Sequence, residues 1–158
     1  MADDDEIVCA NASASIVPFQ AAALKKGQRL ISNSGSASMG YNLPAAMGAA
    51  IAREGKRVIC LAGDGSIQLN IQELQTIVHH RLPIKIFVLN NRGYLSIRIT
   101  QKNFFGEFIG ESPDSGTSFP DIVQIAAAYR LPACRIESET DNARNMLIKI
   151  KIIEKMIC

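Results

Sequence analysis

Along the chain, short apolar runs alternate with stretches whose apolar residues recur at helical spacing. Such alternation predicts a mainly parallel sheet covered by helices on both faces, a three-layer α/β/α fold. Glu6 to Cys9 is the first expected strand, and small polar residues follow it from Asn11 to Ser15. A helix is predicted from Pro18 to Lys26, stopped by Gly27, and then a short strand from Arg29 to Ser32. Ser34 to Gly40 reads as a flexible loop. Asn42 is expected to cap a helix from Leu43 to Arg53, with Pro44 in its first turn. The small residues Ala45, Ala46, Gly48, Ala49 and Ala50 let that helix lie close against a neighbour.

Arg57 to Ala62 is a continuous apolar run after its arginine, the pattern of a central parallel strand buried on both faces. Gly63-Asp64-Gly65-Ser66 ends it. Ile67, Ile71, Leu74 and Val78 then fall at helical spacing, with Asn70 and Glu73 placed as a capping box. Pro83 closes the connection, and Ile84 to Leu89 is a second buried strand that ends in Asn90-Asn91. The unit from Arg57 to Asn91 has the length of one βαβ crossover. Further on, the pattern predicts a short helix from Tyr94 to Gln101, a long loop from Lys102 to Phe119, a helix from Asp121 to Tyr129 and a strand from Ala133 to Ile136. The Ile- and Lys-rich tail from Asn142 to Cys158 is expected to be helical. A single domain over 1–158 is expected, with its core at about 7–137 and an atypical tail at 138–158.

Composition changes this picture little. Apolar residues make up 47% of the 158 and charged residues 20%, which is ordinary for a globular domain. A net charge of +2 gives no electrostatic reason to expect nucleic acid or a membrane surface. No apolar run approaches the ~20 residues a bilayer-spanning helix needs. The acidic start, Asp3-Asp4-Asp5-Glu6, resembles neither a secretory leader nor a transit peptide. The four cysteines form no CxxC pair, so reduced thiols in a cytoplasm are expected rather than a zinc site. His79 and His80 close a helix, where such residues meet terminal carbonyls.

The chemistry lies at two strand ends. Asp64 follows one strand of the βαβ unit and Asn91 ends the other, and ligands of open parallel sheets bind at such carboxyl ends. Asp64 offers an anionic oxygen and Asn91 a neutral one, and the carbonyl of Gly93 could add a third. Oxygen donors of this kind suit Mg²⁺, which commonly binds phosphates as well. Gly63 and Gly65 allow close backbone approach, and the N–H groups of Gly65 and Ser66 open a helix, where phosphate is favoured. Gly-Asp-Gly and Asn-Asn before a glycine are each also common turns. Their joint placement on adjacent strands favours a Mg²⁺-diphosphate site.

Gly63-Asp64-Gly65, followed 27 positions after Asp64 by Asn91, resembles the signature of thiamine-diphosphate enzymes. The segment GDGSIQLNIQELQTIVHHRLPIKIFVLNNRGY is similar to that family throughout, and SGSASMGYNLPAAMGAAIA resembles the cofactor loop of its acetolactate-synthase and decarboxylase branch. The resemblance implies a thiamine-diphosphate-binding fold in which Asp64, Asn91 and the carbonyl of Gly93 bind Mg²⁺. It places Gly63, Gly65, Ser66, Tyr94 and Leu95 around the diphosphate, with Asn11, Ala12 and Ser13 forming a first diphosphate-contacting turn. Met39 would be the apolar wedge that bends the cofactor, and the stretch Ala37-Ser38-Met39 would meet its aminopyrimidine.

The implied activity is decarboxylation or carboligation of 2-keto acids. The family's activating glutamate comes from a separate pyrimidine-binding domain, in a homodimer, a tetramer or a partner chain. Glu54, Glu73 and Glu107 lie in no matching motif, so this chain alone is expected to be inactive. A non-catalytic fragment or assembly module that pairs with a partner subunit is the competing expectation. A nucleotide-binding βαβ domain is a third, although the glycines do not form the dinucleotide fingerprint. Ala12 and Arg130 stand where the family commonly has glycine, and Thr100 where acetolactate synthases have tryptophan. The tail IKIKIIEKMIC does not resemble the family's last strand, which would leave the sheet without an edge.

Overall fold

The computed structural model describes residues 4–136 and 149–154. In chain order its principal elements are β1 (Glu6–Cys9), α1 (Ser13–Ala21), β2 (Arg29–Ile31), α2 (Asn42–Ala52), β3 (Val58–Gly63), α3 (Asp64–Ile67), α4 (Glu73–His79), β4 (Ile84–Asn90), α5 (Leu95–Phe104), α6 (Ile122–Ala128), β5 (Ala133–Ile136) and β6 (Lys149–Glu154). Single turns of 3₁₀ helix follow α3 (Gln68–Asn70) and precede α6 (Pro113–Ser115). The described strands form one parallel sheet in the order β2-β1-β3-β4-β6-β5.

The apolar runs explain the sheet's interior. Val58, Cys60 and Ala62 of β3 and Ile84, Ile86 and Val88 of β4 point to one face, where they pack with Leu43 and Ala46 of α2, Leu74 and Ile77 of α4, and Ile122 and Ala126 of α6. The opposite face carries Ile7, Cys9 and Ile59, and Ala14 of α1 covers its upper end beside Leu61 and Leu89. Truncating a fully buried Leu74 or Ile77 to alanine would cost about 2–5 kcal/mol. Cys60 is a core residue, as its strand position implies, and burial pushes the thiol of neighbouring Cys9 up to about 11. Among the described residues no helix is long and apolar enough to cross a membrane.

Three local expectations are corrected. Helix α1 starts at Ser13 and contains Pro18, rather than starting there. Asn42 caps nothing: it is the first helical residue of α2, fully buried, with neither polar side-chain atom partnered. The Asn70/Glu73 capping box is absent. Asn70 instead donates to the Gly40 carbonyl at 2.8 Å, and Glu73 accepts from Thr76 at 2.9 Å.

The largest correction concerns the tail. Lys149–Glu154 is not helical but a strand, paired on one side with β4 (Val88 opposite Ile152) and on the other with β5 (Arg135 opposite Ile152). The segment alternates Lys149-Ile150-Lys151-Ile152, a period of two that suits a strand, whereas its Ile and Lys content had suggested a helix. The sheet therefore continues past β4 through β6 to β5. The remainder of the expected tail helix, at 142–148 and 155–158, lies outside the described residues.

Candidate cofactor site

The chain leaves β1 toward β2 on one side of the sheet, while β3 and β4 lie on the other, so the strand order reverses between β1 and β3. The carboxyl ends of strands around such a reversal form a crevice. Asn11 follows β1, Asp64 follows β3 and Asn91 follows β4, and all three line one cleft.

Asp64 is only 3% exposed. Its Oδ1 accepts from the backbone N–H of Gly65 at 2.9 Å, and its Oδ2 accepts from the N–H of Gly93 at 3.2 Å. The second bond ties the end of β3 to the turn after β4. Burial raises the carboxyl pKa above the ordinary range, while backbone N–H groups led by Gly65 and Gly93 pull it down. Asn91 Oδ1 is buried in the same cleft and accepts no hydrogen bond. A buried carboxylate disfavoured by desolvation, beside an orphaned amide oxygen, is a donor set that fits a hard divalent cation. Among the described residues no group of three or more His, Cys, Asp or Glu offers an alternative metal cluster.

Close approach requires the glycines of this cleft. A Cβ on Gly65 would overlap the ring of Tyr94, and one on Gly93 would overlap the carbonyl oxygen of Glu111. The Tyr94 ring is held edge-on by Phe119, with centroids 5.2 Å apart. Gly40, at φ +79°, donates to Ser66 Oγ at 3.0 Å while its carbonyl is held by Asn70. This clamp sets Met39 in the cleft wall.

The structure thus brings together Asn11, Ala12, Ser13, Met39, Gly63, Asp64, Gly65, Ser66, Asn91, Gly93, Tyr94 and Leu95. Ala37 and Ser38 stay outside. Both are exposed in a turn closed on itself, where Ala37 N–H donates to the Asn33 carbonyl at 2.7 Å and Asn33 Nδ2 donates to Ser38 Oγ at 3.2 Å. The Gly65 N–H, expected at the diphosphate, donates to Asp64 Oδ1. Ser13 and Ala14 at the start of α1, and Leu95, Ser96 and Ile97 at the start of α5, line the same cleft, where helix-opening amides lack a carbonyl partner one turn back. Ala14, Leu89, Ser96 and Ile97 complete the wall. They carry no motif, and only the proximity of Ser96 and Ile97 to Tyr94 on a helix could have signalled them.

Comparison with known proteins decides what kind of cleft this is. The family model described as "Thiamine pyrophosphate enzyme, C-terminal TPP binding domain" matches residues 12–154. The chain belongs to this family. The match takes in β6, which agrees with the tail being part of the sheet. The chain is 39% identical over 126 residues to the acetolactate synthase large subunit of Porphyra purpurea, covering 80% of this chain and 20% of that protein. It is 40% identical over 102 residues to the Escherichia coli acetolactate synthase isozyme 2 large subunit, covering 65% of this chain and 18% of that one. A solved Rhodococcus jostii thiamine-diphosphate-dependent 4-hydroxybenzoylformate decarboxylase matches with a TM-score of 0.78 and 26% identity, over 97% of this chain and 30% of that chain. The chain is therefore a thiamine-diphosphate-binding domain of acetolactate-synthase-like type, and it spans about a fifth of the length of these synthase relatives.

Proposed function

We propose that this domain holds Mg²⁺ through Asp64 Oδ, Asn91 Oδ1 and the Gly93 carbonyl, and anchors the cofactor's diphosphate on that ion and on the first-turn amides of α1 and α5. The observation that carries the reading is the orphaned Asn91 Oδ1, buried in the same cleft as the Asp64 carboxylate. Thiamine diphosphate, when bound, would supply an electron sink for the negative charge left on the carbonyl carbon of a 2-keto acid. The domain's own residues bind and orient: Asp64 and Asn91 fix the diphosphate end, and Met39 gives an apolar support in the same cleft. The substrates that fit this cofactor and these relatives are 2-keto acids, decarboxylated or joined.

Asp64 is the sole acid among the residues lining the cleft, and the ion would commit it. An activating carboxylate must then come from a pyrimidine-binding domain outside the described residues, in a second copy or in a partner chain. Exposed apolar side chains support such pairing: Phe104 at the end of α5, and Phe105 and Ile109 just beyond it, are each more than 70% exposed. Calorimetric titration of the chain with thiamine diphosphate and Mg²⁺, repeated on Asp64→Ala, tests the reading. Binding heat in the native chain and its loss in the variant are expected, and equal heats in both would overturn the ion site.

A further inference from the structure

A partly buried polar cluster joins Arg98 of α5 to the 111–115 turn, against the cleft residues Gly93 and Tyr94. Glu111 is 4% exposed, and its carboxylate accepts from Ser112 Oγ at 2.6 Å, from Ser115 Oγ at 3.3 Å and from Arg98 Nε of α5. A carboxylate at such depth costs stability unless its hydrogen bonds are made, and apolar packing would do as well for stability alone. The turn that carries it is locked as well: the N–H groups of Glu111 and Ser112 both donate to Ser115 Oγ at 2.9 Å.

What this rigid block touches is the turn after β4. The Glu111 carbonyl accepts from the Tyr94 N–H at 2.8 Å. The Gly93 α-carbon lies so near that carbonyl and the Arg98 guanidinium that a Cβ would meet both. On its other side Gly93 donates to Asp64 Oδ2. The Gly93–Tyr94 backbone is therefore gripped between Asp64 and the Glu111 cluster.

We propose that Arg98, Glu111, Ser112 and Ser115 form a positioning cluster that fixes the Gly93 carbonyl and the Tyr94 turn toward the cation and diphosphate. This rests on the ion site proposed above. The competing role is a purely structural pin for the 105–119 segment, which would alter stability and leave ion affinity unchanged.

The test uses the full chain with Arg98→Gln, Glu111→Gln and the milder Arg98→Lys. Two quantities are read: Mg²⁺ affinity in saturating thiamine diphosphate, and the amide exchange rate of Tyr94 against that of Val88. Glu111→Gln and Arg98→Gln should weaken Mg²⁺ by about 10- to 100-fold, as supporting groups behind metal ligands do. They should also quicken exchange at Tyr94 and not at Val88, and Arg98→Lys should recover part of both losses. Wild-type affinity and wild-type Tyr94 exchange in folded Glu111→Gln or Arg98→Gln would overturn the proposal. A native chain that takes up no Mg²⁺, with Tyr94 exchange still quickened in the variants, would overturn the ion site and support the grip.

Discussion

Ala12 holds a backbone conformation that suits glycine, with φ 48° and ψ −133° at the start of α1. Arg130 stands at φ 57° just past α6, and the next residue, Leu131, donates back to the Ala126 carbonyl at 2.8 Å in the manner of a glycine-terminated helix. A side chain in such regions carries strain of order 1–3 kcal/mol. Both positions were legible in the sequence as departures from the family's glycines, but the physical reason needed the dihedral angles. Ala12→Gly and Arg130→Gly should each raise the urea midpoint, by about 0.5–1 kcal/mol in stability after glycine's greater unfolded-state entropy is subtracted. A lower midpoint in either variant would show that the strain is offset locally. Asp64 and Asn91 were legible at the same scale, because a carboxylate and an amide at adjacent strand ends make a recognisable donor pair. Glu111 was not: nothing in the surrounding FIGESPDSG segment shows that its side chain turns inward to meet Arg98.

Among the elements, the central βαβ unit was readable because β3 and β4 are long apolar runs bounded by glycine, proline and asparagine. Elements whose sequence carries mixed signals were not. Pro18 suggested a helix start because proline favours a first turn, yet α1 accommodates it in its interior. The Ile- and Lys-rich composition of β6 suits a helix, whereas its two-residue alternation suits the strand it forms. Its placement between β4 and β5 has a direct consequence, since a strand paired on both sides should open only with the sheet. Amide exchange at Ile152 should match the slow rate at Val88, its partner in β4. Exchange at Ile152 as fast as in the exposed 105–109 segment would contradict the pairing.

For the whole molecule, function follows from topology. A parallel sheet whose strand order reverses between β1 and β3 opens one crevice, and the turns after β1, β3 and β4 all enter it. Residues far apart in sequence, from Asn11 to Ile97, are thereby brought to one wall. The fold class and most of this wall could be anticipated from alternating strand and helix patterns and two motifs. The supporting block behind it could not, because a buried polar network leaves no periodic trace. The central claim is that Asp64 and Asn91 share one ion, and a double-mutant cycle on Mg²⁺ affinity measures this directly. Asp64→Asn and Asn91→Ala should each weaken binding more than about tenfold, roughly 1.4 kcal/mol or more. In the double variant the loss should fall well short of the sum, because the first change already removes the site. Losses that add in full would mean the two side chains act on separate partners, and the shared site would not stand.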